Sequence, residues 1–87
     1  MANYIVVFTK KFDREMDKLS QADQEKVMSK VSVLENNPFY PSLRTKKFHG
    51  MPGYFESSVN MDIRILWYFE GGRIILVTDV GHHDLVK

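Results

Sequence analysis

The sequence predicts a small α+β fold, a mostly antiparallel sheet with a helical hairpin on one face. The expected order is strand, helix, helix, strand, strand, strand. Three observations carry that prediction. β-Branched and aromatic runs stand at both ends of the chain, over residues 4–8 and again over 54–80, and such residues favour a pleated backbone. Between them the apolar residues change to a spacing of three and four, which is helical. Turn residues at Asn60-Met61-Asp62 and Glu70-Gly71-Gly72 then divide the last third into adjacent strands.

Taken in order, Tyr4-Ile5-Val6-Val7-Phe8 reads as a buried or half-buried strand. Thr9 can cap a short helix in which Phe12, Met16 and Leu19 share one face. Ser20-Gln21-Ala22-Asp23 looks like a second helix start, a hydroxyl at the cap with an acid three residues on. Val27, Val31 and Leu34 mark the buried face of that helix, with Met28 beside it and Lys26 and Lys30 on its flank. Asn36-Asn37-Pro38 ends it, since proline cannot donate the next backbone bond and asparagine tolerates a left-handed exit. Two helices joined this closely lie antiparallel. Residues 39–53 read as irregular, punctuated by Pro41, Gly50 and Pro52. Neither a helix pair nor a sheet hides its apolar side alone, so the helices must cover one face of the sheet.

The 87 residues are expected to form one domain, residues 1–87. An apolar fraction of 44% suits a folded unit rather than a disordered tail. With no cysteine, a disulfide framework and a thiolate metal site are both excluded. No apolar run approaches the roughly 18–20 residues of a membrane span, and the N-terminus lacks the shape of a signal peptide. The expected compartment is therefore the cytoplasm, with no membrane partner. The formal charge of +1 says little about partners, but its distribution says more. Residues 1–50 hold nine basic and six acidic residues, whereas 51–87 hold three and five. The basic excess is densest at Arg44, Lys46 and Lys47, with His49 adjacent. That segment is either a solvated charged loop or a surface for an anionic partner.

Alternation assigns the faces. Ile63, Ile65, Trp67 and Phe69 should meet the helices, and Arg64 should point to the helix-free side. A three-residue turn at 60–62 places Phe55, Ser57 and Val59 on the core face and joins Glu56 and Ser58 to Arg64. A two-residue turn reverses that strand, burying Glu56 instead of Phe55. Leu66, Tyr68, Ile75 and Val77 are expected near Arg64 as a mixed surface. Arg64 could there serve only as a surface ion pair with Glu56, worth about 0–1 kcal/mol. His82 and His83 follow Gly81 at the end of the last strand. Adjacent histidines point different ways and match no zinc spacing, so no metal ligand is assigned. Either could be a solvated residue, or a proton donor or acceptor near neutral pH.

As a set, these features resemble the RelE/ParE superfamily of bacterial toxins from toxin–antitoxin modules. The resemblance covers nearly the whole chain. It rests on the strand-helix-helix order, the Asn37-Pro38 stop, and Lys47-Phe48-His49-Gly50 before the second strand. Asp62-Ile63-Arg64-Ile65-Leu66-Trp67 and the ending Val80-Gly81-His82-His83-Asp84 complete it. It implies a ribosome-dependent mRNA endonuclease that inhibits translation, cuts through the RNA's own 2′-hydroxyl, and needs no cofactor. Arg64 matches the arginine that RelE-type members use on the scissile phosphate. His83 matches the histidine that YafQ-type members use as acid or base, and Asp62 matches an acidic site residue of those toxins. Glu56 is a further candidate base or histidine orienter. Arg44, Lys46, Lys47, His49 and His82 would hold RNA backbone. Two positions depart from the pattern. RelE carries two lysines in the strand where this chain has Phe55-Glu56-Ser57-Ser58, and the expected terminal aromatic residue is replaced by Lys87.

The implied partners are the ribosome, mRNA and an acidic, partly disordered antitoxin that folds on the open face. Two other readings share the fold, a ParE-like DNA gyrase inhibitor that cuts nothing and a degenerate member that only binds its antitoxin.

Overall fold

The computed structural model describes residues 3–83. Strand β1 (Ile5–Phe8) leads into helices α1 (Lys10–Asp17) and α2 (Gln21–Asn36), and a 3₁₀ turn (Pro41–Leu43) follows. The chain then forms β2 (Lys46–Lys47), β3 (Phe55–Ser58), β4 (Ile63–Phe69) and β5 (Ile74–His82). The five strands make one sheet in the order β1-β5-β4-β3-β2. β1 runs parallel to β5, and every other pairing is antiparallel.

The local chemistry explains the elements. The Thr9 hydroxyl accepts from the Phe12 amide at 3.1 Å, and the Ser20 hydroxyl accepts from the Asp23 amide at 3.2 Å. Each cap satisfies an N–H that the helix itself cannot. Phe12 and Leu19 from the α1 region, Val27, Val31 and Leu34 from α2, and Ile63, Ile65 and Trp67 from β4 form one cluster. Trp67 is fully buried at its centre. Beyond the end of β1, the edge of β5 is closed by α1. The Val80 amide donates to Glu15 Oε1 at 3.1 Å, and the Thr9 hydroxyl donates to the Thr78 carbonyl at 3.1 Å. Unpaired strand edges invite foreign strands, and here side chains occupy the edge.

The three-residue turn is present. Ser58 pairs with Arg64, and the Val59 amide donates to the Ile63 carbonyl at 2.9 Å. Phe55, Ser57 and Val59 accordingly share the covered face, while Glu56 and Ser58 accompany Arg64.

Three expectations are corrected. Residues 39–53 are not wholly irregular, because Lys46 and Lys47 pair with Glu56 and Phe55. Two lysines carry no strand pattern of their own, and the pairing comes from the free edge of β3. Ile75 and Val77 do not lie near Arg64. They are fully buried on the covered face, opposite Phe69 and Trp67. The register shifts between Leu66 and Trp67, where Thr78 is the extra residue. Such a bulge reverses the parity of everything beyond it, so Val80 also faces the core. Finally, Asn37 leaves α2 in an extended conformation, φ −158°, not a left-handed one. The proline that follows excludes the helical region at the preceding residue.

Candidate active site

Arg64 lies on the helix-free face, with Ser58 opposite it on β3 and Gly81 on β5. Its Nη1 donates to the Asn60 carbonyl at 2.6 Å and to the Ile63 carbonyl at 3.2 Å. Its Nε stands 3.4 Å from Glu56 Oε2. The two side chains are only 16% and 12% exposed, so this pair is better shielded than an ordinary surface pair. Asn60 is itself locked, since its Oδ1 accepts the Asp62 and Ile63 amides at 2.8 Å each. The β3–β4 turn thus aims the guanidinium. Among the described residues, Nη2 has no protein partner.

The segment before β2 is held by a relay of hydroxyls. Trp67 Nε1 donates to Ser57 Oγ at 2.8 Å, Ser57 Oγ lies 2.7 Å from Thr45 Oγ1, and Thr45 Oγ1 donates to the Pro38 carbonyl at 2.6 Å. A carbonyl only accepts, so Thr45 spends its single hydrogen on Pro38, and Ser57 must donate to Thr45. All donors in the chain therefore point one way. Thr45 sits between Arg44 and Lys46, and the relay anchors both to the buried tryptophan. Arg44 has φ +48°, a left-handed backbone that non-glycine residues adopt only with strain. Lys46 lies opposite Glu56, so its side chain falls on the Arg64 face.

His83 follows the end of β5, two residues beyond Gly81. Its amide donates to the Asp62 carbonyl at 2.6 Å. Arg44, Lys46, Glu56, Ser58, Arg64 and His83 together line an open cleft of about 290 Å³. Three fixed cations and one imidazole thus face a single carboxylate. That balance suits an anionic ligand, and Arg64 offers phosphate a planar pair of donors. A second hollow of about 260 Å³ shares Arg44, Ser58 and Arg64 and adds Lys30 from α2.

The structure does not bring every expected residue to this cleft. Asp62 and His82 are both exposed, and they pair with each other at 2.7 Å beside it. Lys47 and His49 line a different hollow on the β2–β3 hairpin. Alternation across a two-residue strand separates Lys47 from Lys46. Sequence reasoning did not single out Lys30 or Ser58 as functional. Lys30 was visible as a flank residue of α2, but nothing local shows that this flank borders the Arg64 turn.

Two side chains have displaced ionisation. The hydrogen bond to Asp79 raises the Lys11 ammonium above its usual range, against the opposing effect of burial. Partial burial raises the Tyr68 phenol, and the Glu70 carboxylate acts in the same direction. Neither group belongs to the cleft.

No protein-family model matches the sequence, and a comparison with curated proteins finds no match. Solved structures do match. One is the RelBE2 toxin–antitoxin complex of Mycobacterium tuberculosis, with a TM-score of 0.78 at 21% identity over 95% of this chain and 94% of that one. Another is YafQ from Escherichia coli, at 0.76 and 17% identity over 95% and 97%. A third is the archaeal RelE–RelB complex of Pyrococcus horikoshii OT3, at 0.76 and 15% over 92% and 94%. The chain has the RelE/ParE-type toxin fold. At these identities the likeness is one of backbone. Within the RelE/ParE-type fold of this chain, the cleft lies on the sheet face opposite the helices. Among the described residues, no helix is long and apolar enough to cross a membrane.

Proposed function

We propose that this protein is the toxin of a toxin–antitoxin module and acts in the cytoplasm as a ribosome-dependent mRNA endonuclease. The observation that carries the reading is the cleft where Arg64 and His83 meet Arg44 and Lys46 on one open sheet face. In the reaction, the RNA 2′-hydroxyl loses its proton and attacks the adjacent phosphorus. The bond to the 5′-oxygen breaks, leaving a 2′,3′-cyclic phosphate and a 5′-hydroxyl end. Arg64, preset by Asn60 and Glu56, stabilises the extra charge on the pentacoordinate phosphate, the kind of contribution worth about 10²–10³ in rate. His83 protonates the departing oxygen, worth roughly 10²–10⁴. Glu56 is the carboxylate in reach of the cleft and the candidate base. Asp62 acts through the loop, where its carbonyl holds the His83 amide. Arg44 and Lys46 hold backbone phosphates without reading sequence. Lys47 and His49 in the separate hollow on the β2–β3 hairpin, and His82 beside the cleft, would contact further RNA backbone.

An acidic, partly disordered antitoxin suits the same face, because it neutralises the cleft and covers the sheet at once. The test is induction of the wild type, Arg64→Ala and His83→Ala without antitoxin, followed by primer extension on mRNA. New 5′ ends at ribosome-occupied codons should appear with the wild type only. Full cleavage by both variants would overturn the assignment. The Glu56–Arg64 pair favours a second reading, a protein that binds without cutting, such as a gyrase inhibitor. Growth arrest with intact mRNA would select it.

A further inference from the structure

We propose that Tyr54 and Tyr68 form a stacking platform for an unpaired nucleobase of the strand whose phosphate sits at Arg64. The inference rests on the nuclease reading and adds a base-binding subsite to it. Phe55 pairs with Trp67, so the preceding and following residues, Tyr54 and Tyr68, stand side by side on the opposite face. Their rings touch, with centroids 4.9 Å apart and planes inclined by 54°. That face is the one that carries Glu56, Ser58 and Arg64. Both tyrosines are half-buried, and the Tyr68 hydroxyl donates to the Glu70 carboxylate.

Arg64 and Tyr68 are four residues apart on β4, about 13 Å at roughly 3.3 Å per residue. A strand anchored by its phosphate at Arg64 and running toward the hairpin passes Lys46 and then reaches the tyrosines. Beside Tyr54 lies a hollow of about 410 Å³ whose lining includes Lys47, Phe48, His49 and Phe55. On this face the cations Arg64 and Lys46 thus stand beside the two aromatic rings. Single-stranded nucleic acid is bound by this combination, cations for the backbone and aromatic faces for the bases. An acidic peptide would use the cations without requiring a ring at the tyrosines, whereas every nucleotide brings one. Stacking is tolerant of base identity, so the platform adds affinity and position rather than a sequence code.

The test titrates the full-length ¹⁵N-labelled protein with an all-2′-deoxy tetranucleotide, which cannot be cut, and with its abasic counterpart. The base-bearing strand should shift the amides around Tyr54 and Tyr68, and the abasic strand should shift only those around Arg64 and His83. Tyr68→Leu should weaken the base-bearing strand roughly 5- to 150-fold and leave the abasic strand unchanged, and Tyr68→Phe should restore binding. Equal binding of the two strands by the wild type, or an unaltered Tyr68→Leu, overturns the platform even if the protein cleaves mRNA. An acidic peptide of matched charge that shifts the tyrosine amides as strongly also overturns it and assigns the face to a protein partner. Silence at Arg64 and His83 alone, with the tyrosines responding, counts instead against the phosphate site of the nuclease reading.

Discussion

Strand β4 serves two surfaces that meet opposite demands. Toward the helices, Trp67 is packed against Phe55 with rings 4.7 Å apart, and its N–H is spent on Ser57. Among the described residues, no buried side-chain nitrogen or oxygen lacks a partner. Away from the helices, Arg64 is held on one side only, and Arg44 tolerates a strained backbone. The first surface is complete within the chain. The second concentrates like charge, which costs stability unless something anionic arrives. Leu66 qualifies the contrast: it lies on the open face yet is 3% exposed, so that face has its own apolar floor beneath the charges.

This contrast can be broken by substitution. Trp67→Ala should cost about 3–5 kcal/mol by opening a cavity and removing the donor to Ser57. Arg64→Ala should cost about 1–3 kcal/mol, the scale of leaving the well-shielded Glu56 without its partner. Urea unfolding measures both, and equal losses would mean that the open face is as structural as the covered one.

Thr45→Val sharpens the link between the faces. It keeps the shape but removes the hydroxyl that satisfies both Ser57 and Pro38. A loss of about 1–3 kcal/mol is expected, seen as a lower melting temperature, together with weaker RNA binding as Arg44 and Lys46 lose their anchor. Unchanged RNA binding would leave the relay a purely internal feature.

Arg44→Gly should separate stability from function. Relief of the left-handed backbone offsets the flexibility of glycine, so stability should move by less than about 1 kcal/mol. RNA affinity should fall through loss of one phosphate contact, with a shallower dependence on salt. A clear loss of stability would show that the guanidinium itself supports the fold.

The smallest effect concerns Lys11, which pairs with Asp79 beside β5. Its side chain is 59% exposed, so Lys11→Met should cost at most about 1 kcal/mol. The Lys11 pKa is raised in the folded protein. Its contribution is therefore fully present below the unfolded value of about 10.4 and disappears as pH rises through the folded value. The stability difference between wild type and variant should be flat from neutral to mildly alkaline pH and close only beyond that.

Much of this was legible from residue order. The caps at Thr9 and Ser20, the α2 stripe of Val27, Val31 and Leu34, and the alternation that turns Arg64 away from Trp67 are short-range patterns. Each is dictated by the geometry of a single helix, strand or turn. The bulge at Thr78 was not legible, since an unpaired residue shows only against the partner strand. The two-lysine strand β2 was hidden for the same reason. The separation of Asp62 and His82 from the cleft, and the arrival of Lys30 beside it, depend on how distant segments pack. The sequence by itself determined which side of each strand carries charge and which carries the core. Only the tertiary structure decided which charges share a cleft, because that depends on register and packing between segments far apart in the chain.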